Sequence, residues 1–121
     1  MRICLVLEGC YPYVHGGVST WMHGYITAMP EHEFVLWVIG AHAEDRGKYV
    51  YELPGNVVAT TDLAQALDDA DAIIFAVPST HLRSVCHQTA PFIAADTPVL
   101  CLTKGIEPES GLLMSEVIAS E

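Results

Sequence analysis

Gly16-Gly17 stands directly before a run whose apolar residues fall at helical spacing. Such a pair lets backbone amides approach a phosphate, with the positive end of the helix macrodipole behind them. By itself the pair is a weak signal. His15, His23, His32, His42, His81 and His87 show neither HExxH nor a Cys-His cluster, so they read as loop and surface histidines and not as metal ligands. Ser19, Ser79 and Ser115 lack a GxSxG setting, and no paired carboxylates sit on rigid opposing elements. The acidic clusters Glu44-Asp45 and Asp68-Asp69-Asp71 read as solvated faces or helix ends. Cys4, Cys10, Cys86 and Cys101 lack CxxC spacing and read as buried or half-buried free thiols.

These groups need elements to position them. Arg2 to Leu7 reads as a buried strand ending at Gly9. Val18, Trp21, Met22, Tyr25, Ile26 and Met29 then mark a helix stopped by Pro30. Glu33 to Ile39 is a second apolar strand. Residues 41–54 have no clear period and read as a loop, with one short turn or extended piece at Tyr49 to Glu52. Asn56 to Thr60 is a short third strand whose membership of the sheet the pattern leaves open. Thr61-Asp62 caps a helix carrying Leu63, Ala66, Leu67 and Ala70. Ala72 to Val77 is a continuous apolar strand, Pro78-Ser79-Thr80 opens a helix to about Thr89, Pro98 to Leu102 is a fifth strand, and Ser110 to Ala119 a last helix.

Buried strands alternating with helices demand an α/β sheet covered on both faces. Right-handed crossovers give a doubly wound, five-stranded parallel Rossmann-like sheet in the order 3-2-1-4-5, a single domain over residues 1–121. Ligands of such sheets bind beyond the carboxyl ends of the strands where the order reverses, a crevice bordered here by Gly9 to Ser19 and by Pro78-Ser79. Strands one and four should pack Cys4 and Val6 against Ile74 and Ala76, or against the alternate residues beside them.

The chain of 121 residues is half apolar, with a formal charge of −10. That charge, with five Lys and Arg in all, opposes nucleic-acid and anionic-membrane binding. Apolar runs too short for a bilayer and the absence of a signal-peptide pattern lead to the expectation of a soluble cytoplasmic protein.

Two stretches carry family resemblances. Leu7-Glu8-Gly9, Tyr11-Pro12-Tyr13-Val14, Gly16-Gly17-Val18-Ser19 and Trp21 resemble the amino-terminal domain of family-4 retaining glycosyltransferases, especially the pellicle-polysaccharide type. Ala76-Val77-Pro78-Ser79, Leu82-Arg83, Thr103-Lys104-Gly105-Ile106-Glu107 and Gly111 to Val117 resemble the nucleotide domain of bacterial NAD(P)-dependent glycerol-3-phosphate dehydrogenase. The pair of resemblances implies a chimera, engineered, of a glycosyltransferase-like half (residues 1–58) and a dehydrogenase-like half (residues 53–121), joined in Leu53 to Val58. Such a scaffold has no complete active site, no catalysis and no expected cofactor. The alternatives are a module with weak nucleotide or phosphate affinity, of NAD(P) or UDP-sugar type, and a divergent fragment of glycerol-3-phosphate dehydrogenase.

By resemblance, Gly16 and Gly17 lie beside a donor diphosphate. Pro78 and Ser79 lie along the adenosine side of a dinucleotide, although a helix start explains them equally well. Lys104 lies near nicotinamide and substrate, where a cation suits a phosphate or polarised carbonyl. The dehydrogenase's GxGxxG turn has no counterpart here, and Glu44 and Asp45 come late for a ribose-binding acid. Missing partner domains imply exposed apolar surface at Tyr11, Tyr13, Trp21 and Leu112-Leu113-Met114, and hence self-association.

Overall fold

The computed structural model describes residues 1–9, 11–39 and 48–121. Strand β1 (Arg2–Glu8) leads to helix α1 (Gly17–Thr27) and β2 (Glu33–Ile39), followed by β3 (Val57–Ala59) and α2 (Leu63–Leu67). Then come β4 (Ala72–Ala76), α3 (Ser79–Thr89), a 3-10 turn (Ala90–Phe92), β5 (Val99–Cys101) and α4 (Met114–Ser120). The strands form one parallel sheet in the order β3-β2-β1-β4-β5, as expected, and the short third strand joins it through Phe34↔Val57 to Leu36↔Ala59.

Register divides the core. Cys4 pairs with Ile73 and Val6 with Phe75, while Leu5 pairs with Ile74 and Leu7 with Ala76. Of the two packings open to the sequence, the alternate one is therefore adopted. Cys4, Val6, Val35, Ile73 and Phe75 face Leu67, Leu82, Val85, Met114 and Val117 from α2, α3 and α4. Ile3, Leu5, Leu7, Phe34, Leu36 and Ile74 face Tyr11 and the α1 residues Met22 and Ile26. Both faces of β1 are apolar because both are covered. Burial pushes the Cys4 thiol up to about 12, against the opposing charge of Arg2, and the Cys86 thiol up to about 11. Cys101 is half-buried, and Cys10 lies outside the described residues.

Several local expectations are corrected. Helix α1 buries Ser19, Met22 and Ile26, whereas Val18 and Trp21 are 56% and 51% exposed. The inward arc is narrower than the apolar stripe, and Trp21 stacks on Tyr25 with ring centroids 5.3 Å apart. Tyr11 and Met114, expected on exposed surface, are both buried; Trp21 and Leu113 do lie open. Strand β5 is not covered on both faces, since Leu100 is 52% exposed at the sheet edge, where the α1 layer does not reach it. Helix α4 starts at Met114, not Ser110, because Gly111 turns at φ 72° and its amide donates to the Glu107 carbonyl at 2.8 Å. Asp62 caps α2 as expected, accepting from the Gln65 amide at 3.1 Å. Residues 48–56 hold no strand or helix, and the rest of the expected loop, 41–47, falls outside the described residues.

Candidate functional site

The turns following β4 and β5 are tied together. The Thr103 hydroxyl donates to the Val77 carbonyl at 2.7 Å, and the Leu102 amide donates to the Phe75 carbonyl at 2.9 Å. Gly105 sits at φ 120°, where other residues are strained, and a Cβ there would lie 3.7 Å from Cβ and 3.8 Å from Oγ of Ser79. Pro78 occupies the N-cap of α3, and Ser79 is its first residue. Ser79 is thus brought against the turn carrying Lys104, whose side chain is exposed.

Gly16 and Gly17 stand apart from this pair of turns. No hydrogen bond among the described residues joins them to Pro78, Ser79 or Lys104. Gly16 precedes α1 in an extended conformation, and its carbonyl accepts from the Thr20 amide at 2.8 Å. No side chain caps the helix, and both glycines are exposed with nothing within 4 Å of an added Cβ. Space around the helix start is therefore open to a ligand.

The loop between β1 and α1 is held from inside. Tyr11 is buried and its hydroxyl lies 3.0 Å from Nδ1 of His23, while its ring meets that of Tyr51 at 5.2 Å. The Val50 amide donates to the Pro12 carbonyl at 2.9 Å, across the cis Tyr11-Pro12 peptide. Burial, and after it the neighbouring Tyr51, raises the Tyr11 phenol above its usual range. The aromatic bulk of this loop is in part core packing, with Tyr11 buried and Tyr13 half-buried.

Glu8, part of the Leu7-Glu8-Gly9 stretch of the first resemblance, carries no role in the sequence reading. It ends β1 on the face shared with Cys4 and Val6, and its Oε1 lies 3.4 Å from Nε2 of His81 in the first turn of α3. Its other oxygen, Oε2, is shut off from water with no hydrogen-bond partner among the described residues. An acid closing a strand that is apolar from Ile3 to Leu7, where the strand order reverses, is the available signal.

Beyond His81, helix α3 carries a second ionic centre. Arg83 Nε donates to both carboxylate oxygens of Glu107 at 3.0 and 2.8 Å, and Nη1 to Glu121 at 2.7 Å. These hydrogen bonds hold Glu107 and Glu121 below the usual carboxylate range and Arg83 above its own. The ion pairs fix the segment after Lys104 and the end of α4 to α3. Among the described residues there is no group of three His, Cys, Asp or Glu side chains suited to a metal, and no helix long and apolar enough to cross a membrane.

The nucleotide fit is divided. The 77–79 and 103–105 turns meet at the carboxyl end of the sheet, whereas Glu8 puts a carboxylate at the end of β1, where a dinucleotide domain brings its pyrophosphate. Glu44 and Asp45 lie outside the described residues.

The family model described as "Domain of unknown function (DUF3492)" matches residues 1–90. Glycerol-3-phosphate dehydrogenase [NAD(P)+] of Teredinibacter turnerae is 44% identical over 71 residues, covering 59% of this chain and 21% of that protein. The Syntrophomonas wolfei enzyme is 32% identical over 114 residues, covering 84% of this chain and 33% of the relative. Glycerol-3-phosphate dehydrogenase from Coxiella burnetii superposes with a TM-score of 0.73 at 24% identity, covering 98% of this chain and 37% of the other. The Plasmodium falciparum enzyme gives 0.74 at 24%, covering 99% and 37%. The chain thus resembles the amino-terminal NAD(P)-binding domain of these dehydrogenases, and spans only 21% to 37% of their length. Both the family match and the Syntrophomonas wolfei match run through residues 53–58, so neither marks a join there.

Proposed function

The chain belongs to the DUF3492 family, a domain of unknown function, and from that premise we propose that it is a divergent nucleotide-binding domain of the glycerol-3-phosphate dehydrogenase type. Its crevice takes an NAD(P)-like nucleotide at the carboxyl ends of β1, β4 and β5. The observation that carries this reading is the Thr103–Val77 hydrogen bond, which ties the two resembling turns together and sets Ser79 beside the Lys104 turn. Lys104 supplies the cation for a phosphate or polarised carbonyl, and the uncapped start of α1 at Gly16-Gly17 supplies amides for a second phosphate. An NAD(P)-type cofactor replaces the expectation of none. An engineered join at 53–58 is not needed for this reading, which treats residues 1–121 as one domain.

Sugar-nucleotide binding is the second reading, favoured by a β1–α1 loop without GxGxxG that ends in Gly16-Gly17. Titration of NADH, NADPH, UDP and UDP-glucose followed by amide chemical shifts separates the two. NADH is expected to shift residues 16–19, 78–80 and 104–105, with affinity reduced about tenfold by Lys104→Ala, the cost of one charge-assisted hydrogen bond. Shifts from the UDP ligands alone would transfer the assignment to the second reading. No shifts from any ligand at millimolar concentration would remove both.

A further inference from the structure

We infer that Glu8 and His81 form a binding subsite for the vicinal hydroxyls of a sugar or ribose, at the mouth between β1 and β4. The pair spans two elements that meet where the strand order reverses, the place at which such sheets hold ligands. A carboxylate with one oxygen 3.4 Å from an imidazole and the other buried without a donor among the described residues is an incomplete hydrogen-bonding arrangement. Such an oxygen is costly to leave unpaired. Turning the carboxyl into the mouth lets two adjacent hydroxyls donate to its two oxygens, which satisfies both at once.

The charge of Glu8 selects against a phosphate in that position, and the formal charge of −10 adds to the repulsion. The His81 imidazole, 3.4 Å from the carboxylate, already stands where an ammonium ligand would sit. A neutral diol is what remains compatible with both side chains, and Ser79, two residues before His81, lies at the same helix start. The inference rests on the nucleotide reading above for the place of the ligand, not for its phosphate. The diol can come from the ribose of a nucleotide or from a free sugar.

Adenosine, 2′,3′-dideoxyadenosine, methyl glucoside and methylamine, titrated separately into the 121-residue chain with amide-shift detection, test it. Adenosine or methyl glucoside is expected to shift residues 8–9 and 79–81, and whichever does so identifies the source. Dideoxyadenosine should bind at least tenfold more weakly than adenosine if ribose is that source. Glu8→Gln and His81→Ala should each weaken the diol ligand about tenfold. Urea unfolding should show Glu8→Gln close to the parent in stability, because the amide keeps the shape of the side chain and takes the charge off the one oxygen that has no partner among the described residues. Unchanged diol affinity in Glu8→Gln, equal shifts from methylamine, or no shifts at 8–9 and 79–81 from either diol would overturn the assignment. NADH shifts at 16–19 and 104–105 that persist without the diol response would leave the nucleotide reading standing alone.

Discussion

The loop after β1 and the paired turns after β4 and β5 lie at the same end of one sheet, yet they are held by different forces. The first is anchored by aromatic burial, with Tyr11 packed against His23 and Tyr51. The second is anchored by specific polar bonds: Thr103 to Val77, and Arg83 to Glu107 and Glu121. Aromatic burial fixes the first loop through its side chains, with a backbone bond from Val50 to Pro12 beside it, whereas the second pair of turns is fixed by hydrogen bonds and ion pairs between the turns and α3. The turns that carry Pro78, Ser79 and Lys104 are accordingly the ones whose geometry is set by polar bonds.

The largest effect should fall on what both regions share. Val6 and Ile74 are buried in adjacent strands, so Val6→Asp or Ile74→Asp should abolish cooperative folding through an unpaired buried charge, costing about 4 kcal/mol or more. A urea transition with a nearly unchanged midpoint would show that the β1–β4 seam is not the centre of the fold. Next in size, Tyr11→Ala should cost about 3 kcal/mol by opening a cavity, and Tyr11→Phe only about 1 kcal/mol through the lost His23 bond. Hydrogen exchange should rise around residues 11–23 while 101–105 stay protected.

Thr103→Val makes the converse cut. It leaves the Val77 carbonyl without this donor and should cost about 1 kcal/mol, with faster exchange at 78–80 and 103–105 and no change around Tyr11. Exchange rising equally in both regions would dissolve the contrast between them.

The smallest effect is expected from acid. Glu107 and Glu121 are held below their ordinary value of 4.5 when folded, so the unfolded chain takes up their protons first as pH falls. Their contribution is fully present above the ordinary carboxylate range, declines as pH drops below about 4.5 and is gone once pH passes the folded values. Arg83→Met should therefore flatten the acid limb of a stability profile measured by thermal melts between pH 6 and about 3. Its exposure keeps the effect modest, and 1 M salt should shrink it in the parent. Parallel acid limbs for parent and variant would refute the depressed carboxylates.

The sequence by itself determined the order of the elements and the sheet. Apolar strands at Arg2, Glu33 and Ala72 alternating with helical periods leave few right-handed topologies, and the observed order is the one expected. It also placed Pro78, Ser79 and the Lys104 turn at one end of that sheet, since strand direction alone decides where those loops emerge. Tertiary structure decided the facing of β1 against β4, because a strand apolar on both faces contains no alternation to choose Ile73 over Ile74 for Cys4. It sent Tyr11 inward, left Val18 and Trp21 outside, and exposed β5, since burial depends on which neighbouring layer reaches each residue. The meeting of Glu8 with His81 belongs to the same class: they stand on different elements, and only the packing of α3 against the sheet brings the imidazole within 3.4 Å of the carboxylate.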